Sequence, residues 1–162
     1  MKALKFIALP LLAFVSLSAH ADDFACQGKI GKQHIDGDVV VQQGKTCTLN
    51  STHVDGNVKV YRGGSLIINS ANIEGDVQAE NANSVRVSGG FVDGNIQVKN
   101  SGNTSIQNVR VDGDIQLFDN RGTSQVKGNT VDGNLQCKSN RHAVTGGSNS
   151  VNGNKEDQCR GL

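Results

Sequence analysis

Acidic side chains recur along this chain at a spacing that could build a cation site. Six copies of a short phrase place Asp36, Asp55, Glu74, Asp93, Asp112 and Asp132 directly before a glycine, and a degraded seventh copy has Asn152. The residue after that glycine forms a second column: Asp38, Asn57, Asp76, Asn95, Asp114, Asn134 and Asn154. If successive copies stack at about 4.8 Å, as paired strands do, the carboxylates form two ladders along one edge. Like charges so placed repel by roughly 1 kcal/mol in water, and by more where the dielectric is lower. Asn at alternate copies relieves part of that repulsion, and the remainder invites a hard cation with oxygen ligands, Ca2+ above all. The same residues also have an architectural reading. Asp-Gly is a turn signal, in which Asp bonds nearby backbone N–H groups and Gly takes the positive φ a corner needs.

His34 and His53 precede the first two copies, in the strings "HIDGD" and "HVDGN". They occupy one column, a single copy apart, beside Asp36, Asp38 and Asp55. Two imidazoles with adjoining carboxylates have the composition of a Zn2+ site. The alternative is a pair of exposed turn histidines, since the column continues as Asn72, Phe91, Arg110 and Thr130 without pattern. Nucleophile motifs such as G-x-S-x-G, H-E-x-x-H and the P-loop are absent. Glycosidases need two carboxylates at a defined separation, whereas here one recurs at every copy. No catalytic residue is therefore predicted, and no cofactor other than Ca2+ on the acidic ladder.

The element that positions these side chains is a repeat, and a repeat of this period decides the fold. The phrase begins at Ile35, Val54, Ile73, Val92, Val111, Val131 and Val151, with steps of 19, 19, 19, 19, 20 and 20 residues. A second apolar column runs through Ile30, Leu49, Ile68, Val87, Ile106 and Val126, and a third through Cys47, Leu66, Val85, Thr104, Ser124 and Val144. Val54, Val58 and Val60 alternate as a strand with one buried face does, and no 3.6-residue stripe persists. The prediction is an all-β, single-stranded parallel β-helix of about 6–7 coils, each of 19–20 residues, forming a rod about 30 Å long. Asn81, Asn100, Asn120 and Asn140 align as a corner ladder if Asp119 and Ser139 are insertions.

Residues 1–21 read as a secretory signal peptide: Lys2 and Lys5, an apolar stretch over Phe6–Leu17, then Ala19-His20-Ala21. Beyond it come an N-terminal cap over 22–34, repeats over 35–150 and a C-terminal cap over 151–162. Removing Lys2 and Lys5 from sixteen basic residues leaves fourteen against fifteen acids, which gives no general attraction to nucleic acid. No later stretch is long and apolar enough to span a membrane. Four cysteines in an exported chain suggest two disulfides. On a rod, only Cys26–Cys47 and Cys137–Cys159 avoid joining opposite ends. Strict register would leave each pair roughly 8 Å apart between Cα atoms, so the caps must bend inward.

The I/V-x-G-x-V/I rhythm over about Ile30–Asn154 resembles that of the bactofilins and other small bacterial β-helix repeat proteins. The resemblance implies the architecture. It does not extend to the ends, because bactofilins polymerise through open ends and these ends are expected to be closed. The expected location is periplasmic or secreted, and the expected role a structural or binding module of the envelope. Its partner would be an envelope protein or a polysaccharide. It would meet a flat face carrying Gln78, Gln97, Gln116 and Gln136 beside Tyr61, Lys99, Phe118 and Lys138, with Phe118 as the exposed large apolar residue. A polysaccharide-cleaving β-helix and a Ca2+-binding solenoid are the alternative functions.

Overall fold

The computed structural model describes residues 23–162; the signal-peptide reading falls outside them. The described chain is all-β and winds into a parallel β-solenoid of about seven turns. Three parallel sheets form its sides. Sheet 1 has eight strands, from Phe24–Ala25 through Val39–Val41 and Val58–Val60 to Lys155–Asp157. Sheet 2 has seven, from Gly28–Ile30 to Thr145–Gly147, and sheet 3 seven two-residue strands, from His34–Ile35 to Ser150–Val151. Each strand pairs with the strand one coil away, in the register of the repeat: Val54 lies against Ile73, and Leu49 against Ile68. Segment 24–35 already belongs to the sheets as their outermost strands.

Alternation within the strands fills the interior. In Val77–Glu80 the Val and Ala side chains are buried while Gln78 and Glu80 face outward. The inward columns, such as Val39, Val58, Val77, Ile96, Ile115 and Leu135, form one continuous core. Branched aliphatic side chains of similar volume stack well at strand spacing, so a narrow core is filled without large rings. Among the described residues no helix is long and apolar enough to cross a membrane.

The asparagine ladder is displaced by one residue from the expected alignment. Asn81, Asn100, Asp119 and Ser139 all have left-handed φ, between 50° and 56°, and form one corner column. Asn120 and Asn140 follow that column and point inward, in line with Ala82 and Ser101. The extra residue of the longer coils lies after Asn120 and Asn140, where Arg121–Thr123 replaces the two residues Gly102 and Asn103. A short polar side chain can adopt left-handed backbone whether it is Asn, Asp or Ser, so residue type alone did not identify the column.

The cysteines come together at the two ends. Cys26 and Cys47 have Cα atoms 5.5 Å apart, and Cys137 and Cys159 5.2 Å apart, both pairs with sulfurs at bonding distance. In register, Gly28 faces Cys47 and Asp157 faces Cys137, so each remaining cysteine must turn back toward its partner. A tight turn, with Cys159 N–H donating to the Glu156 carbonyl at 3.0 Å, does this at the C-terminus. Two disulfide-distance pairs suit a non-reducing compartment. The last edge strand, Lys155–Asp157, is entirely charged, which discourages pairing with another chain.

Candidate functional site

The column after each repeat glycine forms a hydrogen-bonded chain. Asp38 Oδ1 accepts the backbone N–H of Asn57 at 2.7 Å, and Asn57 Oδ1 accepts that of Asp76 at 2.9 Å. Asp76 then accepts from Asn95, Asn95 from Asp114, Asp114 from Asn134, and Asn134 from Asn154. Each Asp also accepts the side-chain Nδ2 of the following Asn. The alternation thus has a reason besides charge relief: Asp offers only acceptors, Asn supplies the matching donor, and no two carboxylates are adjacent. Burial pushes the Asp38 carboxyl upward, but bonds from the Lys59 ammonium and from Asn57 outweigh it and hold it below its ordinary 3.8. The same contact raises Lys59 above its ordinary 10.5.

The repeat glycines owe their identity to crowding rather than to φ. Gly37 alone among them has positive φ, at 108°. At Gly75 a Cβ would lie 2.6 Å from Asn57 Oδ1 and 2.8 Å from the Gly56 carbonyl oxygen, closer than any side chain tolerates. The ladder oxygen of one coil occupies the space a side chain would need in the next. Two inward ladders brace other corners. Asn120 donates to Asn140 Oδ1 at 2.9 Å and to the Val98 carbonyl at 3.0 Å. Asn129 donates to Asn149 Oδ1 and to the Ile106 carbonyl, both at 3.0 Å. The Asn129–Asn149 pair escaped sequence reading, although its twenty-residue spacing matches the local period. Gln158 ends the first ladder by bonding Asn140 as a further coil would.

The column before each glycine is not uniform. Asp36, Glu74, Asp93 and Asp132 are exposed, and Asp132 takes a hydrogen bond from Asn152. Asp112 pairs with Arg110 Nε at 3.0 Å. Three potential metal ligands converge at one place among the described residues: His34, His53 and Asp55, all within 4.8 Å. His34 and His53 are register partners in sheet 3. Their Nε2 atoms lie 2.7 and 3.1 Å from the same Asp55 Oδ1, and His53 Nε2 lies 3.2 Å from Glu74 Oε1. The rings meet edge to face, with centroids 4.8 Å apart. Contact with the Asp55 carboxylate raises the His34 pKa above its ordinary 6.5. Asp38 is held in the neighbouring ladder and does not join this group, and His142 stands apart from it.

On sheet 1 the outward glutamines bond one another along the rod: Gln97 to Gln116 and Gln116 to Gln136, each at 3.0 Å, then Gln136 to Glu156. The exposed large hydrophobic residue beside them is Tyr61, at 54 % exposure, and not Phe118, which is half-buried. Tyr61 borders a hollow of about 350 Å³ lined by Lys59, Gln78, Glu80, Gln97 and Lys99. Lys99 also lines the next hollow, about 380 Å³, with Phe118 and Lys138. In comparisons with family models, curated proteins and solved structures nothing matches the chain.

Proposed function

We propose that the protein is an exported, non-enzymatic binding module of the bacterial envelope that holds an acidic polysaccharide along sheet 1. The observation that supports this most is the exposed Tyr61 ring bordering one hollow, which shares Lys99 with the next hollow along the rod. An aromatic ring gives a sugar a flat apolar surface to lie on, and a phenol keeps a polar edge in water. Lys99 and Lys138, on strands that follow along the rod, offer mobile ammonium groups to carboxylate, phosphate or sulfate substituents. The glutamine row already satisfies much of its own hydrogen bonding, so it presents a fixed polar floor. A row of shallow sites with a periodic spacing suits a polymer better than a small molecule. Periplasmic or secreted location accords with the cysteine pairs.

Affinity electrophoresis through gels containing acidic or neutral polysaccharides tests this reading. The wild type should be retarded by an acidic polymer and released by salt, with Y61A and K99A/K138A each weakening retention at least tenfold. Equal migration in every gel would reject it, and release of oligosaccharides would favour the cleaving alternative.

A further inference from the structure

We propose that His34, His53, Asp55 and Glu74 form a surface site for a divalent transition-metal ion of the Zn2+/Cu2+ class, at the sheet 3 corner of the first coils. The site is separate from the sheet 1 hollows and does not depend on their role.

Three observations carry it. First, the donors converge on one point: both imidazole Nε2 atoms on Asp55 Oδ1, and His53 also on Glu74 Oε1, at 2.7–3.2 Å. Bond lengths of about 2.0–2.2 Å to Zn2+ put tetrahedral ligand atoms about 3.3–3.6 Å apart. An ion therefore fits between these atoms after the two His53 contacts open by a few tenths of an ångström and the His34–Asp55 contact by roughly 0.6–0.9 Å, and His34, whose side chain is 60 % exposed, is free to rotate by that amount.

Second, Asp55 Oδ1 is buried without a hydrogen bond of acceptable geometry, although two ring nitrogens lie within ion-pair distance. A buried carboxylate oxygen left in this state is costly, and a cation between it and the nitrogens removes the cost.

Third, the same column shows the ordinary arrangement three coils further on. There Arg110 Nε donates to Asp112 Oδ1 at 3.0 Å, one cation to one carboxylate, with no neighbouring ligand. The first coils instead bring two imidazoles onto one carboxylate oxygen, with Glu74 against His53 from the next coil. Imidazole nitrogen selects Zn2+, Cu2+ or Ni2+, whereas Ca2+ and Mg2+ require oxygen. The site therefore binds a different class of ion from the one the acidic ladder suggests.

Calorimetric titration of the tag-free exported protein with ZnCl2, and separately with CaCl2, tests the proposal. One Zn2+ per chain is expected. H34Q, H53Q and D55N should each weaken its binding at least tenfold, H142Q should leave it unchanged, and CaCl2 should give no saturable heat at this site. Circular-dichroism melting of each metal-free variant establishes folding. As a readout that needs no variant, the Cu2+-loaded wild type should show electron-spin hyperfine coupling to two imidazole nitrogens. Wild-type Zn2+ affinity in H34Q/H53Q, no Zn2+ binding at millimolar concentration, or a Cu2+ spectrum without two nitrogen ligands would each overturn the assignment and leave an ion pair only.

Discussion

Replacing Asp76 separates corner architecture from cation binding, because the two readings rank Ala and Asn differently. Asp76 Oδ1 accepts the Asn95 backbone N–H at 2.7 Å and Asn95 Nδ2 at 3.1 Å, while Oδ2 accepts from Gln78 at 3.1 Å. D76A removes every one of these acceptors. Hydrogen bonds to a charged group contribute about 1.5–3 kcal/mol each, but the corner is half-buried and water replaces part of the loss. A net cost of about 2 kcal/mol follows, which for a domain near this size lowers Tm by about 4–8 °C. D76N keeps an oxygen for the Asn95 N–H and adds a donor facing Asn57 Oδ1, so its Tm should move by less than about 3 °C. Thermal melting followed by circular dichroism, in EDTA and again in Ca2+, gives the answer. A cation ladder predicts that D76A and D76N behave alike and differ from wild type only in Ca2+. Wild-type stability in D76A, or equal loss in both variants, would refute the hydrogen-bonded ladder.

Other expected outcomes follow from single buried groups. Thr104 is buried between Val85 and Ser124 with no partner for its hydroxyl, so T104V should raise Tm by about 2–4 °C, from about 1 kcal/mol of relieved desolvation; a lower Tm would show a partner unaccounted for. N129A takes the side-chain partner from the Val109 N–H and the Ile106 carbonyl and leaves Asn149 Oδ1 only the backbone N–H of residue 129, and urea unfolding should show a loss of about 3 kcal/mol. Asp38 titrates below its ordinary 3.8 in the folded protein. Its stabilisation is therefore complete above pH 3.8 and disappears as pH falls through the lower folded value. Melting between pH 2 and 5 should then show a shallower acid limb in D38N than in wild type, and identical limbs would exclude the contribution.

The solenoid was legible because its signal is redundant. The Val/Ile/Leu columns are needed at every coil, so each copy repeats the same burial requirement, and the register follows from the step length. The cysteine pairing was legible because a rod keeps its ends apart. The corners were less so. Asp-Gly marked a corner, but the backbone N–H bonds expected of the acidic residue are accepted by the residue after the glycine, and the glycine is demanded by the previous coil's ladder oxygen and not by its own φ. That contact exists only between coils and leaves no trace in a single phrase. Asn81 and Asn120 look alike in sequence, yet one is a left-handed corner and the other a buried donor. The difference lies in a one-residue shift that only the stacked register reveals. His34 and His53 stood out by column, whereas Glu74 joins them from the third coil, and nothing in its own phrase distinguishes it from the other acids.

The central claim, that the Tyr61–Lys99–Lys138 row of sheet 1 holds an acidic polymer, is tested most directly by residue-resolved NMR. An acidic oligosaccharide is titrated into the 15N-labelled exported protein. Amide shifts should concentrate at residues 59–61, 78–80, 97–99, 118 and 138 and saturate together. Shifts confined to sheet 2, or no saturable shifts with any acidic oligosaccharide, would contradict it.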